Sequence, residues 1–136
     1  AEGILMGTRF LMSQECRVHP KVKEWLTQLT ETDTMLIQRS IRNPSRVVRT
    51  EFTQKILEME EKGATLEQLA PLISGQNRES AYVTGDITNS TISAGQIVGM
   101  IHDVPTVKEI IDGIVSGAAT IMQRLNNMGL AGTKKR

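Results

Sequence analysis

The tightest constraint on this chain is a short apolar run, Ile4-Leu5-Met6, that stops at Gly7-Thr8 and passes into Arg9-Phe10. A continuous apolar run of this kind suits a parallel strand covered on both faces. A lone buried strand cannot satisfy its edges. The expectation is therefore that the chain opens inside the last strand of a larger protein and forms its carboxy-terminal part. The Gly-Thr stop adds chemistry. Glycine lets backbone approach a ligand closely, and amides beside a hydroxyl at a helix start supply donors for a phosphate.

Composition narrows the class. With 16 Lys and Arg against 15 Asp and Glu, the 136 residues carry a net charge of +1, which argues against a nucleic-acid partner. Aromatics are only 3% (Phe10, Trp25, Phe52 and Tyr82), so a core must rest on Ile, Leu, Val and Met. No apolar run is long enough to span a bilayer, and residues 1–12 lack a charged start followed by a long apolar block. A cytoplasmic setting without membrane contact is expected. The single Cys16 has no intrachain partner and reads as a small apolar residue, and no Cys/His spacing suits a metal.

Along the chain, Pro20 at a first helical position with Val22, Trp25, Leu26 and Leu29 predicts an amphipathic helix. Residues 34–37 suit a short strand. Asn43-Pro44 predicts the start of a second helix with Val48, Phe52, Ile56 and Met59 as its buried stripe, closed by Gly63. Thr65 and Gln68 form a capping-box pattern for a third helix to about Ile73. Residues 74–93 are polar and rich in Ser, Thr, Asn and Gly, which predicts a loop. From Pro105 onward, Val107, Ile110, Ile111, Ile114, Val115, Ala118, Ile121, Met122 and Leu125 keep the helical period. The tail beyond, ending Lys134-Lys135-Arg136, is expected to fray. The chain is thus expected to be mostly α-helical.

Gly3-Ile4-Leu5-Met6-Gly7-Thr8-Arg9-Phe10 resembles the eighth-strand segment of the nitronate monooxygenase family, formerly called 2-nitropropane dioxygenases. Flavin-dependent enoyl-ACP reductases and NADH:quinone reductases are close relatives of that family. The resemblance continues through Glu15-Cys16-Arg17-Val18-His19-Pro20, Asp33-Thr34, Arg39-Ser40, a helix start at residues 46–49, and Ala94-Gly95-Gln96-Ile97-Val98-Gly99. It includes residues 105–125 as the closing helix of a barrel. The first and last of these motifs are the most specific.

This resemblance implies an α/β TIM barrel that binds FMN non-covalently, with a small domain inserted after strand eight. Residues 1–16 would be the last strand and phosphate turn, 17–92 the inserted helical subdomain, 93–126 the final helix region and 127–136 a tail. The phosphate would lie at Leu5, Met6, Gly7 and Thr8. Many relatives carry Gln where this chain has Leu5, which leaves Leu5 only its backbone. The family's catalytic histidine lies on an earlier strand, so no residue here is a catalytic candidate, and the chain alone is expected to be inactive. His19 reads as a helix cap and His102 as a turn residue.

The implied activity is oxidation of alkyl nitronates with dioxygen. The alternatives are reduction of an enoyl thioester with NAD(P)H, or of a quinone. A reading from another class is a helical interaction module that uses Arg39, Arg42, Arg46 and Arg49 as its face. Those arginines form a local basic cluster that could bind an anionic group, which in the family would be a nucleotide or carrier-protein substrate; a solvated, salt-bridged face is the simpler reading.

Overall fold

The computed structural model describes residues 3–129, the side chain of Arg78 excepted. Two compact units divide between Val104 and Pro105.

The first unit begins with one turn of helix, α1 (Thr8–Leu11), followed by α2 (Pro20–Leu26). Pro20 occupies the first turn of α2, where its missing N–H costs nothing, and the His19 ring accepts from the Lys21 amide. The capping reading of His19 holds. Gly85 packs against that ring: a Cβ there would lie 2.5 Å from it, and φ is +77°. Lys23 is buried, and its ammonium donates to the carbonyls of Ser13, Gln14 and Cys16 at 2.6, 3.3 and 2.6 Å. It thereby clips the α1–α2 connection to α2.

Strand β1 (Thr34–Ile37) pairs antiparallel with β2 (Ser45–Val48), in the register Thr34 opposite Val48 and Leu36 opposite Arg46. The hairpin corrects the expected helix start at Asn43-Pro44 and at residues 46–49. Val47 and Val48 are β-branched and fully buried, which suits a pleated surface. The Asn43 amide closes the turn onto the Gln38 carbonyl at 3.1 Å instead of capping a helix. The turn holds two non-glycine residues at positive φ, Gln38 at 64° and Arg42 at 57°. Glu60 fixes it from a distance. Its carboxylate accepts from the amides of Gln38 and Ser40 at 2.6 and 3.0 Å and from the Ser40 hydroxyl at 2.8 Å.

Helix α3 (Glu51–Glu61) starts at a capping box between Thr50 and Thr53 and ends before Gly63, at φ +82°. Helix α4 (Leu66–Ile73) starts at the expected Thr65–Gln68 box. Within 74–93, expected as loop, lies α5 (Gly75–Thr84), which buries Ala81 and ends on left-handed Gly85. Its polar sequence hides it, because only a narrow side faces the core. A 3-10 helix, Gln96–Met100, completes the unit.

Two apolar clusters hold these elements. Met12, Val22, Leu26, Val48, Ile92 and Val98 lie in one; Met35, Ile37, Val47, Ile56 and Leu69 form the other. Neighbouring β2 residues, Val47 and Val48, thus serve opposite clusters, as strand alternation requires.

Residues 3–6 form no strand. Among the described residues nothing pairs with them, and Ile4 and Leu5 are exposed. The expected buried strand is therefore absent here, because a strand takes its hydrogen bonds from a neighbour.

Among the described residues the second unit holds one helix, α6 (Val107–Asn127), capped by Thr106 and Glu109 and braced by Lys108 and Asp112 one turn apart. Of its apolar stripe Ile110 is buried, whereas Ile111, Ile114, Val115, Ile121, Met122 and Leu125 are exposed. The helix runs two residues past Leu125. The rest of the expected frayed tail, residues 130–136, lies outside the described residues.

Candidate functional site

The turn at Gly7-Thr8 is positioned by contacts far along the chain. The Thr8 hydroxyl accepts from the Gly95 amide at 3.0 Å. Arg9 donates to the Asp103 carboxylate at 2.7 Å and to the Asp103 carbonyl at 3.0 Å. Together these bonds staple the first two residues of α1 to the segments on either side of the 3-10 helix. Residues 92–93 in turn lie beside β2, through the Val48 amide on the Ile92 carbonyl at 2.9 Å and a bridge between Val47 and Ser93.

Beside that arrangement lies an open cavity of about 310 Å³, lined by Gly7, Thr8, Leu11, Arg46, Ser93, Ala94 and Gly95. It is at the small end of ligand pockets. Of the four residues expected to hold a phosphate, the structure brings Gly7 and Thr8 into the cavity. Leu5 and Met6 do not line it, and Leu5 is fully exposed.

The donor set suits an anion. The first amides of a helical turn have no acceptor within the helix. A threonine hydroxyl that accepts one bond still has its own proton to donate. A Cβ built on Gly7 would meet nothing within 4 Å, so glycine leaves the approach open. No carboxylate lines the cavity. A phosphate therefore fits the residue types present.

Arg46 also lines the cavity. From sequence it is one of four arginines in a basic cluster whose simpler reading is a solvated face. The hairpin separates them: Arg39, Arg42 and Arg49 are exposed, while Arg46 is half-buried and reaches the cavity. The available signal was the alternation of strand β2, which the apparent helical stripe masked.

A second hollow of about 450 Å³ lies between α2 and residues 102–104, and His102 and Glu24 are among its lining. The Nδ1 atom of His102 is 3.2 Å from the Thr27 carbonyl oxygen, so that ring is held as a turn residue. Among the described residues no group of three His, Cys, Asp or Glu side chains is placed to hold a metal ion. Asp33 and Asp86 titrate below the ordinary aspartate range. In Asp33 the causes are the Thr30 amide, then its hydroxyl, with a smaller pull from Arg49; in Asp86 the Thr88 hydroxyl leads, then the Thr88 amide. Both stabilise turns and lie outside the cavity. Among the described residues no helix is long and apolar enough to cross a membrane.

The family profile described as nitronate monooxygenase matches residues 1–117. The chain belongs to the nitronate monooxygenase family. A probable nitronate monooxygenase of Staphylococcus saprophyticus is 27% identical over 124 residues, covering 91% of this chain and 34% of that protein. A (3aS,4S,5R,7aS)-5-hydroxy-7a-methyl-1-oxo-octahydro-1H-indene-4-carboxyl-CoA dehydrogenase of Mycobacterium tuberculosis is 26% identical, covering 90% of this chain and 45% of the relative. Among solved structures, FabK from Thermotoga maritima superposes with a TM-score of 0.85 at 34% identity, over 94% of this chain and 40% of FabK. The chain thus spans less than half the length of each of these relatives.

Proposed function

We propose that this nitronate monooxygenase family chain is the phosphate-holding part of an FMN-dependent oxidoreductase, with Gly7 and Thr8 at the flavin phosphate. The observation that carries this reading is the cavity lined by Gly7, Thr8, Arg46 and Gly95, with no carboxylate among its lining residues. Family membership supports it. In this reading the whole protein is a TIM barrel: residues 1–16 supply the last strand and phosphate turn, 17–92 an inserted subdomain, and 93–126 the closing helix region.

Bound FMN would supply the electron transfer. The chain's own residues bind and orient. Gly7 leaves room for a phosphate oxygen, the Thr8 hydroxyl donates to it while the Gly95 amide fixes that hydroxyl, and Leu11 gives the cavity an apolar wall. Leu5 and Met6 would contribute through backbone alone. The proton-transferring histidine belongs to an earlier strand, so neither His19 nor His102 has a part in the chemistry.

For the substrate, the first reading is an alkyl nitronate oxidised with dioxygen, in keeping with the matching family. A second is reduction of an enoyl thioester with NAD(P)H. It is favoured by the greater identity to FabK, 34%, than to the probable nitronate monooxygenase, 27%.

Two measurements test the proposal. Thr8→Val in the holoenzyme is expected to raise the FMN Kd about tenfold, the loss of one hydrogen bond to a charged group. An unchanged Kd would overturn the phosphate assignment. Turnover of a nitronate with oxygen uptake supports the first substrate reading; NAD(P)H oxidation that depends on an enoyl thioester replaces it with the second.

A further inference from the structure

Among Arg39, Arg42, Arg46 and Arg49, Arg46 alone is both half-buried and part of the cavity wall. Its side chain is held. One guanidinium nitrogen, Nη1, donates to the Thr34 hydroxyl at 3.0 Å across the hairpin. Thr34 sits two residues from Leu36, the register partner of Arg46, so the bond joins diagonal neighbours on one face of the sheet. Thr34 is itself buried, which fixes the anchor.

The rest of the guanidinium is uncommitted. Arginine carries five N–H donors and stays charged at any physiological pH. Among the described residues Arg46 is in no ion pair; the pairs there are Arg9 with Asp103 and Lys108 with Asp112. Its remaining N–H groups are not buried, so they are open to an anion that enters the cavity. The cavity it lines holds no carboxylate and is lined as well by Gly7 and Thr8.

We infer that Arg46 is the charge-neutralising residue of the phosphate site, meeting the FMN phosphate in the cavity it lines together with Gly7 and Thr8, with Thr34 as its positioning residue. This rests on the FMN reading above. It explains why a hairpin from the helical subdomain packs beside the Gly-Thr turn: the turn supplies hydrogen bonds, and the hairpin supplies the charge.

The test compares FMN with riboflavin, which lacks the phosphate, by flavin-fluorescence titration of the apo-form of the holoenzyme. Wild type is expected to bind FMN far more tightly than riboflavin. If it shows no such preference, the FMN-phosphate reading itself fails. If the preference is present, Arg46→Gln is expected to cut it about 10- to 100-fold, with riboflavin affinity unchanged, the range for a charge-assisted bond. Arg46→Lys is expected to restore part of the preference, because the charge returns without the fork. Thr34→Val is expected to lower it several-fold by releasing the guanidinium. An FMN preference equal to wild type in Arg46→Gln overturns the inference and leaves the FMN reading standing. Should Arg46→Gln not fold, a wild-type preference in both Arg46→Lys and Thr34→Val overturns it equally.

Discussion

Ile56 on α3 and Ile121 on α6 occupy equivalent positions, each on the apolar stripe of an amphipathic helix, yet Ile56 is fully buried and Ile121 is half exposed. Around Ile56 the chain supplies Met35, Ile37, Val47 and Leu69. Along α6 only Ile110 is buried. The period of apolar residues fixes which face of a helix is apolar. It says nothing about what lies against that face, which depends on elements elsewhere in the protein.

Truncation is the strongest way to break the comparison. Leu26→Ala or Ile56→Ala is expected to destabilise the protein by about 2–5 kcal/mol in chemical denaturation. Ile121→Ala is expected to cost well under that, about 1 kcal/mol or less. Equal losses would show that the α6 stripe is as buried in solution as the α3 stripe.

Next in size is Glu60, whose carboxylate holds three donors of the β1–β2 turn. Glu60→Ala leaves two amides unpaired and is expected to cost about 1–3 kcal/mol, with amide exchange quickening at Gln38 and Ser40 first. If exchange there is unchanged, the turn is held by its own backbone bonds. Asp103→Asn weakens a staple whose carboxylate is 68% exposed, so its cost is expected at about 0–1 kcal/mol.

The smallest effect is electrostatic. The Asp33 carboxylate accepts from the Thr30 amide and hydroxyl, each at 2.8 Å, and titrates below the ordinary aspartate range as a result. A depressed folded-state value means that the contribution is present above the unfolded-state pKa and lost as pH falls through the folded one. Thr30→Val removes the hydroxyl bond and is expected to move the Asp33 titration midpoint, read by NMR, part-way up toward the ordinary value. An unmoved midpoint would assign the depression to the amide and Arg49 alone.

Local grammar made much of the fold legible. Pro20 opened α2, residues 34–37 formed a strand, Gly63 closed α3, and the Thr65–Gln68 box started α4. The reading failed where one pattern imitated another. Val48, Phe52, Ile56 and Met59 are spaced for a helix, yet Val48 ends a strand, and the true cap is Thr50. Helix α5 was hidden because its composition is that of a loop. At the candidate site, Gly7 and Thr8 were readable from the motif. Arg46 was readable only as one of a cluster of four arginines, because what sets it apart is a bond to Thr34 across a hairpin that a helical reading erases.

The central claim is that Gly7 and Thr8 hold a flavin phosphate, and a crystal structure of the flavin-loaded protein tests it most directly. The account predicts FMN phosphate oxygens within hydrogen-bond distance of the Thr8 hydroxyl and of the Gly7 or Thr8 amide. A flavin whose phosphate lies elsewhere, with the Gly7-Thr8 cavity filled by water, would contradict it.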